Sequence, residues 1–387
     1  MILNNLTMAG TDDPVSIRIG ADKITSVSPS PIVDTADALI LNLENALVFP
    51  GLINSHDHLD FNLYPRLGHR TYSNYMEWGR HIHKTYKDEI AAVLKVPAIL
   101  RYEWGVFKNL LCGVTTVINH GEPSGLKDEL ITICEDMQTL HSVGFESAWR
   151  FKLNNPFNTR LPVGIHVGEG DDWRSFNEID QLTRWNLFER PLIGVHGVAM
   201  SEKQAEKFKA LVWCPESNYF LLNKTASVGL LKKHTKILFG TDSTLTGGWD
   251  IWEHLRLARQ TRLLDDGVLY YTLNKNAANV LGLNTGSIEQ GKDADIVVAK
   301  SKKGMRDFDA FFALRPEDLL LIIHKGNIRL FDATLDNRLA AVNPDNFSKI
   351  YINGVCKYIQ GNLPSLMEQI LEYYPEACFP VTITNAA

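Results

Sequence analysis

The segment Phe49-Pro50-Gly51-Leu52-Ile53-Asn54-Ser55-His56-Asp57-His58 decides how the rest of the chain is read. An apolar run introduced by Pro-Gly ends in two histidines at i and i+2. In an extended strand such residues project from one face, so His56 and His58 leave the end of the Leu52–Ser55 strand together. Downstream, short apolar runs alternate with longer helix-like stretches. Val114–Asn119, Val163–His166, Leu192–His196, Leu211–Cys214 and Ile237–Gly240 read as strands, with one more between Ile131 and Leu153. Tyr75–Tyr86, Val96–Leu111, Ser201–Phe208, Ile251–Leu264 and Tyr270–Leu281 read as helices, the last stopped by Gly282. The alternation predicts βα units around a parallel sheet. The fold class read from it is α/β, with the βα region running over residues 51–284.

Outward from that region the pattern changes. Residues 1–50 hold the runs Ile2–Leu6, Val15–Ile19, Ile24–Val27, Ala38–Leu41 and Ala46–Phe49, separated by turn residues. Residues 285–387 return to strands at Ile296–Ala299, Ile328–Phe331 and Ile350–Ile352, then a terminal helix at Leu366–Tyr373. Both ends together predict a small β-sandwich domain into which the βα region is inserted.

A chain of 387 residues with 45% hydrophobic and 22% charged residues excludes a disordered, collagen-like or disulfide-stapled protein. A formal net charge of -6 lacks the basic footprint of a nucleic-acid partner. No run of 18 apolar residues is present, so no membrane span is expected. Met1–Gly10 lacks a basic leader and is not read as a signal peptide. The five cysteines form no CxxC pair and read as reduced thiols, which points to the cytoplasm. Self-association is left open.

The ends of the other strands carry the chemistry. His166 closes Val163-Gly164-Ile165, His196 closes Leu192-Ile193-Gly194-Val195, and Asp242 follows Ile237-Leu238-Phe239-Gly240-Thr241. α/β barrels place their reactive groups at this end, and imidazoles with a carboxylate suit a divalent ion. Glu169, three residues beyond His166, is placed to move protons. A bound ion lowers the pKa of water from 15.7 toward ~7, and a nearby carboxyl can protonate a leaving amine.

Pro50–His58, His166-x-x-Glu169, His196-Gly197, Cys214-Pro215-Glu216-Ser217-Asn218 and Gly240-Thr241-Asp242-Ser243 resemble motifs of the metal-dependent amidohydrolase superfamily, in its deaminase and chlorohydrolase branch. Ala277–Leu283 and Gly286–Asp295 are similar to the segment leading into that family's terminal β-domain. The resemblance spans nearly the whole chain in order and implies a distorted (β/α)8 TIM barrel over residues 51–284 with a flanking β-sandwich. It implies one divalent ion, zinc first and iron as the alternative, on His56, His58, His166 and Asp242. It further implies Glu169 as proton shuttle, His196 orienting water or substrate, and Asp242 as acceptor of the water's proton.

The expected reaction is hydrolytic deamination of a small nitrogen heterocycle by metal-activated hydroxide. Opening of a cyclic amide, as imidazolonepropionase-like members perform, and displacement of halide from a triazine are the alternatives. A non-catalytic ligand-binding relative is the third, disfavoured by the complete ligand set.

Several residues stay open. His120 ends Val117-Ile118-Asn119-His120, His141 lies in the candidate strand end Gln138–Ser142, and Trp249 follows Gly247-Gly248; each is a candidate for the pocket wall. His81 and His83 cannot share a helix face, so at most one lines the mouth. His254 reads as a helix residue, Cys214 as apolar filler, and Glu216 as a variable position. Lys152 is the residue a binuclear relative would use as a carboxylated bridge. About 43 residues separate the second strand from the His166 strand, too few for two complete βα units, so one is shortened or has lost its helix.

Overall fold

Strand Ile40–Pro50 joins the two ends of the molecule in the computed structural model, which describes residues 1–33, 38–121, 130–339 and 346–384. Leu41, Leu43, Ala46 and Val48 face one core, while Leu47 and Phe49 face another. The change from odd to even positions falls at Glu44 and Asn45, whose φ values are 46° and 66°. An irregularity in the register with Ile2–Met8 lies at the same place, Asn4 pairing with Asn42 but Leu6 with Ala46, and the bulge there turns the following side chains to the other face. The runs expected as two strands, Ala38–Leu41 and Ala46–Phe49, are therefore one bulged strand.

Ile40–Pro50 pairs in parallel with Ile2–Met8 and antiparallel with Ile296–Ala299, which unites both chain ends as expected. Their strands are hydrogen-bonded as one ten-stranded sheet. One face encloses its own core through Leu3, Ile17, Ile296 and Ile323. The other lies on the barrel helices, where Phe49 meets Trp252 and Phe311 edge-on at centroid distances of 5.8 and 5.1 Å.

The barrel strands are β1 (Leu52–Asp57), β2 (Val114–Asn119), β3 (Thr132–Ile133), β4 (Gln138–Ser142), β5 (Val163–Val167), β6 (Leu192–His196), β7 (Ala210–Trp213) and β8 (Lys236–Phe239). They form two parallel sheets, β1-β2-β3 and β4 through β8. The distortion is at the seams. Only residues 134–137 connect β3 to β4, with no helix between, and the unit after β4 carries the five-residue helix α4 (Trp149–Leu153) if helices are counted after α1 (Tyr75–Thr85), α2 (Lys87–Leu94) and α3 (Ala98–Leu111). This is how the short span before His166 is accommodated. At the other seam, Asp242 N donates to His56 O at 3.1 Å and Thr241 N to Asn54 Oδ1 at 3.1 Å. Gly240 permits that approach, since a Cβ there would lie 2.8 Å from the His56 Cβ and 3.0 Å from its backbone nitrogen.

Two helix expectations change. Tyr270–Leu281 is two helices, Asp266–Thr272 and Lys275–Leu281. The Leu273 carbonyl accepts from Ile53 N at 2.7 Å, and the Asn274 side chain caps Lys275 N, so the helix restarts. Helix α5 (Trp173–Trp185), absent from the sequence reading, begins where the Asp172 side chain accepts from Ser175 N at 2.9 Å. Among the described residues no helix is long and apolar enough to cross a membrane.

Candidate active site

The ends of β1, β5, β6 and β8 converge on one buried point. His166 Nε2 lies 3.2 Å from His56 Nε2 and 3.4 Å from His58 Nε2. Asp242 Oδ1 is 3.7 Å from the Nε2 atoms of both His56 and His58. A tetrahedral ion with ligand distances of ~2.0–2.2 Å holds its ligands roughly 3.3–3.6 Å apart, so this spacing fits one divalent cation. Protonation agrees. Burial pushes His58 down to about 4 and, with neighbouring imidazoles, holds His166 well below the usual histidine range. Both present lone pairs at neutral pH.

Asp242 is held as the carboxylate. Burial alone would raise its pKa, but the imidazoles of His56, His58 and His196 around it outweigh that and keep it well below the usual carboxylate range. Ser217 Oγ and Thr246 Oγ1 both donate to Oδ2, at 2.8 and 3.0 Å, which leaves Oδ1 toward the histidines with only the Ser243 N–H at 2.9 Å. Sequence reasoning quoted Ser217 without a role and missed Thr246.

His196 has a determined tautomer. Trp213 Nε1, a donor only, bonds Thr225 Oγ1 at 2.6 Å. The Thr225 hydroxyl donates onward to Asn218 Oδ1 at 3.3 Å, and Asn218 Nδ2 donates to His196 Nδ1 at 2.9 Å. His196 Nδ1 is thus an acceptor, and Nε2 carries the hydrogen. Burial lowers its pKa to about 3, so the ring is neutral. That Nε2 lies 3.6 Å from Glu169 Oε2. Both His196 and Asp242 hold left-handed backbone, with φ of 72° and 58°.

Glu169 sits 6% exposed in the loop after β5. Burial, reinforced by the charges of Asp242 and Glu178, raises its pKa well above the usual carboxylate range, which favours the protonated form. The loop is braced from behind. Gly168, at φ 62°, donates its N–H to Glu178 Oε1 at 2.8 Å, and Tyr75 OH donates to Glu178 Oε2 at 3.1 Å. Tyr75 N in turn donates to Glu169 O at 3.0 Å.

Beneath the two β1 histidines lies a buried ion pair. Asp57 is fully buried and accepts from Lys108 Nζ at 2.9 Å, Asn109 Nδ2 at 2.7 Å and Asn62 Nδ2 at 2.9 Å. Lys108 also donates to Thr241 Oγ1 at 3.2 Å, which links α3, β1 and the residue before Asp242.

A cavity of 720 Å³ opens over these groups. His58, His141, His166, Glu169, His196 and Asp242 line its base, with Phe61, Tyr64, Trp78 and Phe145 as aromatic walls. His141, one residue before the end of β4, lines the pocket. His120 packs on His166 at a ring distance of 4.2 Å; its Nε2 donates to Leu140 O at 3.0 Å. The donor atoms of His56, His120 and His166 lie within 4.8 Å of one another, as do those of His56, His196 and Asp242.

Trp249 does not line this cavity. The turn at Gly247-Gly248 carries it to a separate surface depression with Asp250 and Pro316. His83 lines the mouth, while His81 turns to His69 at 3.3 Å. His254 is buried 2.9 Å from Glu216. Burial would raise the Glu216 pKa, yet His254 and Arg66 bring it to about 2, so Glu216 ties the loops after β7 and β8 together. Cys214 is buried at the end of β7. Lys152 is on α4, paired with Glu146 at 2.6 Å, and does not bridge toward the ligands.

A family model described as "Amidohydrolase family" matches residues 166–336. The 5-methylthioadenosine/S-adenosylhomocysteine deaminase of Caldicellulosiruptor saccharolyticus is 22% identical over an alignment of 388 residues, covering 86% of this chain and 85% of that protein. Among solved structures, an adenosine deaminase from Xanthomonas campestris with bound zinc superposes with a TM-score of 0.66 at 16% identity, covering 97% of this chain and 99% of the other. An atrazine chlorohydrolase from Arthrobacter aurescens complexed with zinc gives 0.63 at 16% identity, covering 88% and 98%. The buried His/His/Asp groups resemble the metal site of amidohydrolases that hydrolyse carbon–nitrogen bonds of small heterocycles.

Proposed function

We propose that this chain, which has the metal-dependent amidohydrolase fold related to deaminases and chlorohydrolases, deaminates a nitrogen heterocycle by hydrolysis. The observation that carries the reading is the convergence of His56, His58, His166 and Asp242 on one buried point, with Glu169 beside it 3.6 Å from His196; burial raises the Glu169 pKa while the groups around Asp242 hold its pKa down. Two titratable groups pushed apart by their surroundings mark the acid and the base.

His56, His58, His166 and Asp242 would hold one divalent ion, zinc by its N/O donor set and iron as the alternative. When bound, such an ion makes water nucleophilic near neutral pH. The chain's own groups do the rest. Asp242 Oδ1 accepts the water's proton, while Ser217 and Thr246 hold its other oxygen still. Glu169 protonates the ring nitrogen as water adds to the adjacent amidine-like carbon. As the carbonyl forms, Glu169 regains its proton from the added hydroxyl, and the proton held by Asp242 goes to the amino group, which leaves as ammonia. The His196 Nε2–H, fixed by Asn218, offers a hydrogen bond beside Glu169, 3.6 Å from its Oε2. Tyr64, Trp78 and Phe145 suit a planar ring and keep water from its faces. We place the protein in the cytoplasm.

The test combines elemental analysis with an ammonia-release screen. About one ion per chain and ammonia from a purine, pterin, pyrimidine or triazine is expected. Adenine nucleosides come first, because a relative bears the name of a 5-methylthioadenosine/S-adenosylhomocysteine deaminase. Hydrolysis without ammonia would favour ring opening or loss of halide. No metal after reconstitution with zinc or iron would favour a binding role.

A further inference from the structure

The cavity is not uniform from base to mouth. Its base holds Glu169 and the engaged Asp242, and its middle is aromatic. Its outer wall comes from α1, which places Arg80, His83 and Lys84 on the lining. All three are exposed, and they sit at i, i+3 and i+4 on one helix face. Arg80 and Lys84 make no ion pair with any described residue. The acid on the same helix, Glu77, is already committed to Arg70 at 2.9 Å and to Ser73 N at 2.9 Å. Stacking like charges on a helix is unfavourable, and here they meet at a pocket mouth in a chain whose net charge is -6. A concave wall of one sign focuses the opposite charge into it.

The helix also measures the distance. Its first residue, Tyr75, touches the Glu169 backbone. At 1.5 Å per residue, Arg80 lies about 8 Å and Lys84 about 14 Å along the axis from that point. Resting on the deaminase reading above, we infer that the substrate is a nitrogen heterocycle carrying an anionic group, carboxylate or phosphate, about 8–14 Å from the reacting carbon. Such a molecule is at least the size of a nucleoside. The ring sits between Trp78 and Phe145, and the anion meets Arg80 and Lys84.

The experiment is calorimetric binding to the purified holoenzyme, with ammonia release followed in parallel. Adenosine and guanosine are each compared with their 5′-carboxylate and 5′-monophosphate. At low salt at least one anionic form should bind about tenfold tighter than its neutral parent, with the gap shrinking as salt rises. The double variant Arg80→Ser, Lys84→Ser should lose the gap and leave the neutral nucleoside's Kd unchanged. Whichever anionic arm shows the preference identifies carboxylate or phosphate. Equal or weaker binding by the anionic forms, no binding by any of them, or a preference that survives in the double variant would each overturn the inference. Anion-dependent binding with no ammonia released counts against the deaminase reading alone. Ammonia release from neutral nucleosides without any preference counts against the inference alone.

Discussion

At the β1–β8 seam the two buried carboxylates are gripped by other side chains: Asp57 by Lys108, Asn109 and Asn62, and Asp242 by Ser217 and Thr246. At the β3–β4 seam a two-residue strand leads through four connecting residues to the next, and the helix that follows has five residues. The ion pair there, Lys152 with Glu146, has its lysine side chain 48% exposed, whereas the Lys108 side chain is 2% exposed. One barrel thus combines a rigid half that fixes the reacting groups with a pared half that supplies wall residues such as His141 and Phe145. Precision is concentrated where charge is moved, and the half that only shapes the ligand is allowed to shrink.

The sharpest contrast should come from replacing one polar group in each half. Glu169→Gln should lower kcat by about 10²–10⁴-fold with metal content unchanged, and Asp242→Asn should lose activity and metal together, as elemental analysis would show. His141→Ala, on the pared side, should cost about tenfold or less and act mainly on KM. A His141 variant as damaged as the Glu169 variant would erase the distinction.

Stability should divide the same way. Lys108→Met strands the buried Asp57 carboxylate and should cost about 3–5 kcal/mol in urea unfolding. Lys152→Met breaks a half-exposed pair and should cost under about 1 kcal/mol. Comparable losses would mean that the two seams are held equally.

Glu178 gives the comparison a pH axis. Burial raises its pKa to about 7, partly offset by the hydrogen bonds from Gly168 and Tyr75. The folded state therefore holds this proton more tightly than the unfolded state, whose carboxyl titrates near 4.5. Stability is full below about pH 4.5 and falls as pH rises through about 7, by up to roughly 3 kcal/mol. Glu178→Gln should flatten that fall, and an unchanged pH–stability curve would refute the assignment. A separate effect on turnover is expected at Thr225→Val, which cuts the Trp213-to-Asn218 relay. It should reduce kcat by about 10–100-fold, leave metal content intact and change KM little. A full-activity variant would show that the His196 tautomer needs no such support.

What could be read from the sequence followed local periodicity. His56, His58, His166, His196 and Asp242 each close an apolar run, so strand geometry alone brings them to one end of a barrel. The supports could not be read that way. Lys108 meets Asp57 across 51 positions, and Ser217 meets Asp242 across 25. Neither pair leaves a local period. Trp249 was misplaced because the Gly247-Gly248 turn reverses the chain outward, a direction that two glycines do not specify. Helix α5 went unread because its buried residues Ile179 and Leu182 are set among polar ones, although the Asp172 cap was there to be seen.

The left-handed backbone at His196 and Asp242 also bears on ancestry. Side-chain-bearing residues other than Asn and Asp hold such φ values at a cost of about 1–2 kcal/mol, a cost glycine avoids. Selection for activity keeps histidine at position 196 against that gradient. A descendant freed from the reaction would gain stability by exchanging it for glycine or asparagine, so in a drifting library screened only for folding, position 196 should be among the first in the barrel to be lost.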